Sequence, residues 1–249
     1  MSALIRAELL KVRTTRGWYA YLVVLVLLSG FAAAADVGSS EDARRSALEF
    51  QVGLVEAAGF AGLLALILGI TTVTVEFRHG TITPTFLTTP TRERVLAAKA
   101  VAVSLVALLF FLVALVVIAA VAVTWLTVVD AQLHLGSGEL WERIGQTALG
   151  AVLWGVIGVA VGSVVHSQVA ALVGTLIWIF VVESLLWALL GWRDLEGVAS
   201  YLPFRALDAA DGTGGEDLLS YGGGVAVSLA WIAGLGAAGV VRTRRRDIT

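Results

Sequence analysis

The chain has 249 residues, of which 58% are hydrophobic and only 14% are charged, and its mean hydropathy is +0.90. Soluble domains carry roughly 25% charged residues because their surface must be solvated, so this composition indicates a membrane protein. The absence of cysteine excludes disulfides, thiolate metal sites and a cysteine nucleophile. The three histidines are far apart and show no metal-ligand spacing, which argues against a metal site.

An interfacial helix is predicted over residues 2–16, before the first apolar stretch. Ile5, Leu9 and Val12 share one helical face, and Arg6 and Arg13 flank it. Such a helix can lie in the membrane interface with its basic side chains on anionic headgroups.

The basic start also resembles a signal peptide, because the first apolar run ends in Ala33-x-Ala35. That run exceeds the roughly 7–15 residues of a signal-peptide core, and the basic leader is long. We therefore predict an uncleaved first span.

Six stretches are long enough to cross a hydrocarbon core of ~30 Å, which takes about 20 predominantly apolar residues. None alternates polar and apolar residues as barrel strands do. The sequence thus predicts an all-α, polytopic protein that forms a single transmembrane domain over residues 1–249. The predicted spans are residues 17–35, 53–75, 100–129, 144–165, 168–192 and 218–241.

The basic residues predict the orientation of this bundle. Twelve of the 17 lysines and arginines lie before the first span, between the second and third, or after the sixth, which places these segments on one side. Cytoplasmic loops carry the excess of Lys and Arg, so we expect both termini in the cytoplasm and the chain in the cell (plasma) membrane. Residues 193–217 are then extracellular.

The segment from Glu76 to Lys99 has an unusual pattern for a loop, reading E-F-R-H-G-T-I-T-P-T-F-L-T-T-P-T-R-E-R-V-L-A-A-K. The second span should continue through residues 76–79, and Gly80 is suited to the left-handed conformation that ends helices. Thr83-Pro84 and Thr89-Pro90 are successive helix-start signals, which predict a short helix at residues 84–88 and then the third span. An ordinary cytoplasmic loop remains the plain alternative.

The basic leader, this segment and the Tyr201-Leu202-Pro203-Phe204 region together resemble ABC-2 type permeases, the membrane subunits of ATP-binding-cassette exporters. The resemblance implies that residues 76–99 are a cytoplasmic coupling segment, in which the helix at residues 81–88 docks on a separate ATPase subunit. The docking residues would be Glu76, Arg78, Thr81, Ile82, Thr83, Pro84, Phe86, Leu87, Arg92 and Glu93. It also implies short external helices within residues 193–217, where Tyr201, Phe204 and Leu207 can share an apolar face.

The chain has no nucleotide-binding G-x-x-x-x-G-K-[ST] loop, because neither of its lysines, Lys11 and Lys99, follows one. We therefore expect no enzyme activity and no cofactor on this chain, with ATP and Mg²⁺ bound by the ATPase partner. The other expected partners are a second permease copy, as a homodimer or heterodimer, and the lipid bilayer, but no nucleic acid.

Glu183 lies well inside the fifth predicted span, where an ionisable group is costly and suggests function. Its helical neighbours are apolar, so we expect its partner on another helix, either as a hydrogen bond near the outer end or as a contact of the pathway. Glu183, Tyr201 and Phe204 are the candidate pathway or gate residues. Glycines in the fourth and sixth spans should allow close helix approach, for packing within the six-helix bundle or, alternatively, for dimerisation. They are Gly155, Gly158, Gly162, Gly234, Gly236 and Gly239.

Two other classes of function remain open. An autonomous secondary transporter usually shows internal repeats and midplane ionisable groups, and the two halves of this chain show no similarity. A non-transporting membrane anchor or immunity protein would not need a shaped cytoplasmic segment. For an exporter, the apolar spans favour an amphipathic or hydrophobic cargo such as a drug, peptide or lipid.

Overall fold

The computed structural model describes residues 1–15, 17–81, 91–193, 195–212 and 219–244. Over these residues the chain is helical and contains no strand, which confirms the predicted all-α class. Six of the described helical segments are long and apolar enough to span a membrane, and a separate N-terminal helix precedes the first of them.

The helices follow one another with short connections. In chain order they are α1 (Ser2–Thr14), α2 (Gly17–Ser39), α3 (Asp42–Arg45), α4 (Leu48–Gly53), α5 (Phe60–Arg78), α6 (Arg92–Val128), α7 (Gly138–Val164), α8 (Gln168–Ile177), α9 (Glu183–Gly191), α10 (Glu196–Ala199), α11 (Pro203–Ala210) and α12 (Tyr221–Arg244). A 3-10 helix (Leu54–Gly59) joins α4 to α5, and a π-helix (Trp178–Val182) joins α8 to α9. The second and fifth candidate spans are therefore continuous, from Leu48 to Arg78 and from Gln168 to Gly191.

The ends of the second and third spans test the helix signals read from the sequence. Helix α5 ends at Arg78, and Gly80 has φ +68°, as expected for a glycine just beyond a helix. Helix α6 begins at Arg92, after an extended Thr91, so the start predicted at Thr89-Pro90 is two residues too early. The predicted start at Thr83-Pro84 and the helix at residues 84–88 lie outside the described residues.

Two helices form the centre of the bundle. In the second and fourth spans, which contain α5 and α7, 61% of the most apolar 18-residue stretch is buried within the protein, against 17% in the fifth and sixth spans. A large apolar core lies between α2, α5 and α6, and a second joins α5 and α7 to α11. The fifth and sixth spans therefore expose most of their apolar surface to the surroundings.

Glycines allow α5 and α7 to approach closely. A Cβ added at Gly69 would overlap the carbonyl oxygen of Gly155, and one added at Gly158 would overlap that of Leu66. Gly155, Gly162 and Gly239 are similarly enclosed, which together with Gly158 confirms the predicted close packing at four glycines of α7 and α12. Gly234 and Gly236 have nothing within 4 Å, so that prediction is wrong for them.

One end of the bundle, here called the α1 end, gathers segments that are distant in sequence. The Arg78 guanidinium donates to Gln168 Oε1 at 3.3 Å, and Arg92 Nη1 donates to the carbonyl of Thr243. Lys11 of α1 reaches α5 at the same end. The first helix, the end of α5, the start of α6 and the end of α12 therefore lie together, which is the grouping that the basic residues predicted.

Candidate functional site

Helix α1 packs its apolar face onto the bundle. Val12 is buried in the core between α2, α5 and α6, and Leu9 packs beside it, so two residues of the apolar face read from the sequence lie against the bundle. The same face also buries Glu8, whose residue is only 3% exposed. Glu8 and Lys11 are three positions apart and so lie on one side of the helix.

A buried cluster of four ionised side chains, Glu8, Lys11, Glu76 and Lys99, joins α1 to α5 and α6. Lys11 Nζ lies 2.7 Å from Glu8 Oε1 and 2.7 Å from Glu76 Oε1. Lys99 Nζ lies 2.8 Å from Glu8 Oε2 and 2.6 Å from Glu76 Oε1. Two positive and two negative charges therefore cancel within one contact network.

Lys99 is the most enclosed member of this four-residue cluster, at 1% exposure. Its ammonium donates to both carboxylates and, at 3.1 Å, to the carbonyl of Thr72. All three N–H donors of a lysine are thereby used. A buried charge is tolerable only when it is paired and hydrogen-bonded in this way, so each member depends on the others.

Lys11 lies at the rim of the cluster, where its side chain is 47% exposed. Burial by itself lowers the pKa of a lysine, but hydrogen bonds and Coulombic attraction from Glu76 and Glu8 outweigh it here. The pKa of Lys11 is consequently raised above its usual value, and the ammonium stays charged throughout the physiological range.

A cleft of about 260 Å³ borders the cluster between α1, α2 and α5. Lys11, Thr71, Thr72 and Glu76 contribute polar groups to its wall, and Val12 and Leu68 contribute apolar ones. The cleft reaches the surface at Lys11. Charged groups and apolar walls thus meet in one small cavity at the α1 end.

The residues predicted to dock an ATPase subunit are found in different environments. The Glu76 carboxylate is buried in the cluster and is not presented at the surface, because two lysines hold it inside the bundle. Arg78, Thr81 and Glu93 are exposed, and Arg92 is half-buried against α12. The other predicted docking residues, Ile82, Thr83, Pro84, Phe86 and Leu87, lie outside the described residues.

The sequence reading missed the roles of Glu8, Lys11 and Lys99. One signal was available, since the chain uses arginine almost everywhere and its two lysines both belong to this cluster. The pairing itself could not be read from the sequence, because three contacts join different helices. The partners are 65 and 91 positions apart in two of them and 23 apart in the third.

Glu183, the predicted ionisable residue of the fifth span, caps the short helix α11. Its carboxylate accepts hydrogen bonds from the backbone N–H groups of Phe204 and Arg205, both at 3.1 Å. These N–H groups belong to the first turn of α11, where helical donors lack a partner and negative charge is favourable. The expected partner on another helix is therefore present, near the end opposite α1.

A third partner of Glu183 lies on its own span. Trp178 Nε1 donates to Glu183 Oε1 at 2.8 Å, although Trp178 is five positions earlier in the chain. The π-helix over Trp178–Val182 places residues five apart on one side, whereas the sequence reading had considered α-helical neighbours only. The expectation that every partner comes from another helix is wrong for this reason.

The two other candidate pathway residues are not equivalent. Phe204 is 5% exposed and packs on Trp154 with ring centroids 5.2 Å apart, and Leu207 is fully buried beside it. Tyr201 is 55% exposed, because α11 begins only at Pro203 and leaves Tyr201 in the preceding turn. The predicted apolar face shared by all three is therefore wrong for Tyr201.

The fold and these sites define a polytopic α-helical membrane protein with six candidate spans, a buried ion cluster at one end and a capped short helix at the other. Residues 16–249 match the model of a protein family of unknown function (DUF2705), and the chain belongs to that family. No curated protein matches the chain.

Proposed function

We propose that this chain is the membrane-spanning permease subunit of an exporter of the ABC-2 type. It would form the translocation pathway with a second copy or a related subunit and would couple to a separate ATPase subunit that binds ATP and Mg²⁺. The proposal rests on the resemblance of the leader and of residues 76–99 to that class. One structural observation supports it most strongly, the four-residue cluster.

The cluster connects α1 to both helices that flank the proposed docking segment. Glu76 lies two residues before the end of α5, and Lys99 is the eighth residue of α6. A force applied to residues 79–91 would therefore act on α1, α5 and α6 together. Docked ATPase subunits could in this way bias the balance between two arrangements of the spans.

The position of the cluster favours this function over secondary transport. Helix α6 has 37 residues and is roughly 55 Å long, and Lys99 lies only about 10 Å from its first residue. The buried charges are therefore near one end of the bundle, whereas coupling-ion sites of secondary transporters lie near the bilayer midplane.

Docking is tested by affinity purification from native membranes. Replacing Phe86 and Leu87 with Asp places two charges on the proposed contact surface, so we expect a P-loop ATPase that accompanies the wild-type chain to be lost. Leu135→Asp is the matched control, because Leu135 is 53% exposed in the connection between α6 and α7, at the far end of α6. Equal recovery of the ATPase with wild type and the double variant would refute the docking site.

Orientation is tested separately with single cysteines, since the native chain has none. In intact cells we expect an impermeant maleimide to label Leu135→Cys and not Thr81→Cys. The reverse pattern would contradict a cytoplasmic location of both termini.

A further inference from the structure

The cleft beside the four-residue cluster combines features of a ligand site. Its volume of about 260 Å³ is close to the lower limit of small-molecule pockets, about 300 Å³. Two of its wall residues, Glu8 and Glu76, carry carboxylates and are more than nine-tenths buried. The apolar part of the wall comes from Val12, Leu68 and Val75. It can therefore hold a small polar head together with the first part of an apolar tail.

Glu76, a wall residue of the cleft, has spare hydrogen-bonding capacity. Glu76 Oε1 accepts from both lysines, whereas the buried Glu76 Oε2 has no hydrogen-bond partner among the described residues. An ionised carboxylate can accept about four hydrogen bonds on its two oxygens. Glu76 can therefore accept a further donor without losing Lys99.

The two lysines differ in how firmly they are held. The Lys99 side chain is 1% exposed and makes three hydrogen bonds, whereas the Lys11 side chain is 47% exposed and makes two. Leaving its carboxylates costs Lys11 little, because its ammonium can be solvated at the surface. Lys11 is thus the exchangeable cation of the cluster.

We infer that the cleft binds the primary ammonium group of an amphipathic amine, which replaces Lys11 Nζ between Glu8 and Glu76. One cation takes the place of another, so the cluster stays neutral while Lys11 turns outward. The apolar part of the amine then lies against Val12, Leu68 and Val75. A free amine and the headgroup of phosphatidylethanolamine both offer this chemistry.

The same geometry predicts what the cleft excludes. An anionic headgroup would face two carboxylates and only one accessible lysine. A quaternary ammonium has no N–H to donate, and its methyl groups prevent contacts as short as the 2.7 Å that Lys11 makes. The site should therefore prefer a primary amine over its trimethylated analogue.

That this amine is exported cargo rests on the proposed function, but its binding does not require an ATPase subunit. The test accordingly uses the purified full-length chain alone, in phosphatidylcholine nanodiscs. Isothermal titration calorimetry with dodecylamine measures the affinity, and dodecyltrimethylammonium and dodecanol are the comparison ligands. We expect saturable binding of dodecylamine and at least about tenfold weaker binding of the other two.

Three variants relate this binding to the cleft. Lys11→Met removes the competing cation and should tighten dodecylamine binding by about threefold, the scale of a partly exposed ion pair. Arg13→Met is the matched control, because it removes an exposed charge from the same helix outside the cleft and should leave the affinity unchanged. Val75→Phe narrows the cleft without altering a charge and should abolish binding.

Two results would overturn the inference. One is a dodecylamine affinity of the Lys11→Met variant that equals or falls below that of the wild-type chain. The other is equal binding of dodecylamine and dodecyltrimethylammonium to the wild-type chain. Nanodiscs containing phosphatidylethanolamine distinguish the source of the ammonium, because this lipid lowers the apparent dodecylamine affinity only if its own headgroup occupies the cleft. An ATPase that fails to co-purify would refute the proposed function and leave these affinities as they are.

Discussion

Lys99 Nζ lies 2.6 Å from Glu76 Oε1 and so joins the last turn of α5 to the third turn of α6. Glu8 and Lys11 of α1 complete the contact from a third helix. The N-terminal helix is therefore fixed to the two helices that flank the 79–91 connection, and it is more than an amphipathic helix resting on the membrane interface.

The buried lysine should matter more for stability than the one at the rim. Lys99→Met leaves two buried carboxylates with one half-exposed cation, and breaking a buried ion pair costs about 3–5 kcal/mol. Lys11→Met leaves both carboxylates bonded to Lys99 and should cost about 1 kcal/mol or less. Thermal unfolding in detergent measures both, and equal losses would contradict the assigned burial.

Close packing of α5 and α7 should make Gly158 sensitive to a single methyl group. In Gly158→Ala the new Cβ overlaps the Leu66 carbonyl, so we expect a loss of about 1–3 kcal/mol. Gly234→Ala is the control, since open space surrounds Gly234 and alanine is the better helix former. Unfolding midpoints that fall equally for the two variants would argue against this helix contact.

Glu183 should hold α11 in place rather than contact cargo. Glu183→Ala removes the acceptor for the N–H groups of Phe204 and Arg205, so the first turn of α11 should open. A cysteine at the fully buried Ala206 reports this, and we expect its maleimide labelling to accelerate at least about tenfold. Glu183→Gln keeps an acceptor oxygen and should have a smaller effect.

If Glu183 instead contacts cargo, both substitutions would impair transport while Ala206→Cys stays protected. That outcome would contradict the capping role.

Helix α11 should make stability depend on pH through Asp208. Burial, then the neighbouring Asp211 and Glu183, raise the pKa of Asp208 from 3.8 to about 7, against the opposing effect of Arg205. The folded state then binds a proton that the unfolded chain has released. The stabilisation is complete below about pH 4 and is lost as the pH rises through about 7.

Asp208→Asn should remove this pH dependence. At pH 8 the substitution should increase the free energy of unfolding by at most about 4 kcal/mol and so raise the unfolding midpoint. Asp36→Asn is the control, because Asp36 is exposed at the end of α2. If the difference in unfolding midpoint between wild type and Asp208→Asn stays constant between about pH 4 and pH 8, Asp208 is not the responsible group.

Local sequence signals predicted features that depend on neighbours along the chain. The position of Gly80 predicted where α5 ends, and the amphipathic leader predicted a separate N-terminal helix but not its packing on the bundle. The start of α6 was predicted two residues early, because proline marks a permitted first position without requiring a helix there. The glycines of α7 indicated close packing, but α5 as their partner could not be read.

The amino-acid sequence by itself determined the membrane class, the six spans and the clustering of basic segments at one end, because hydropathy and charge act through composition over short stretches. Only the tertiary structure decided which ionised groups meet. Glu8, Lys11, Glu76 and Lys99 come from three helices, and Glu183 reaches Trp178 only because a π-helix changes the spacing. In a low-dielectric interior the free energy of a charge depends on its partner in space, which no local pattern specifies.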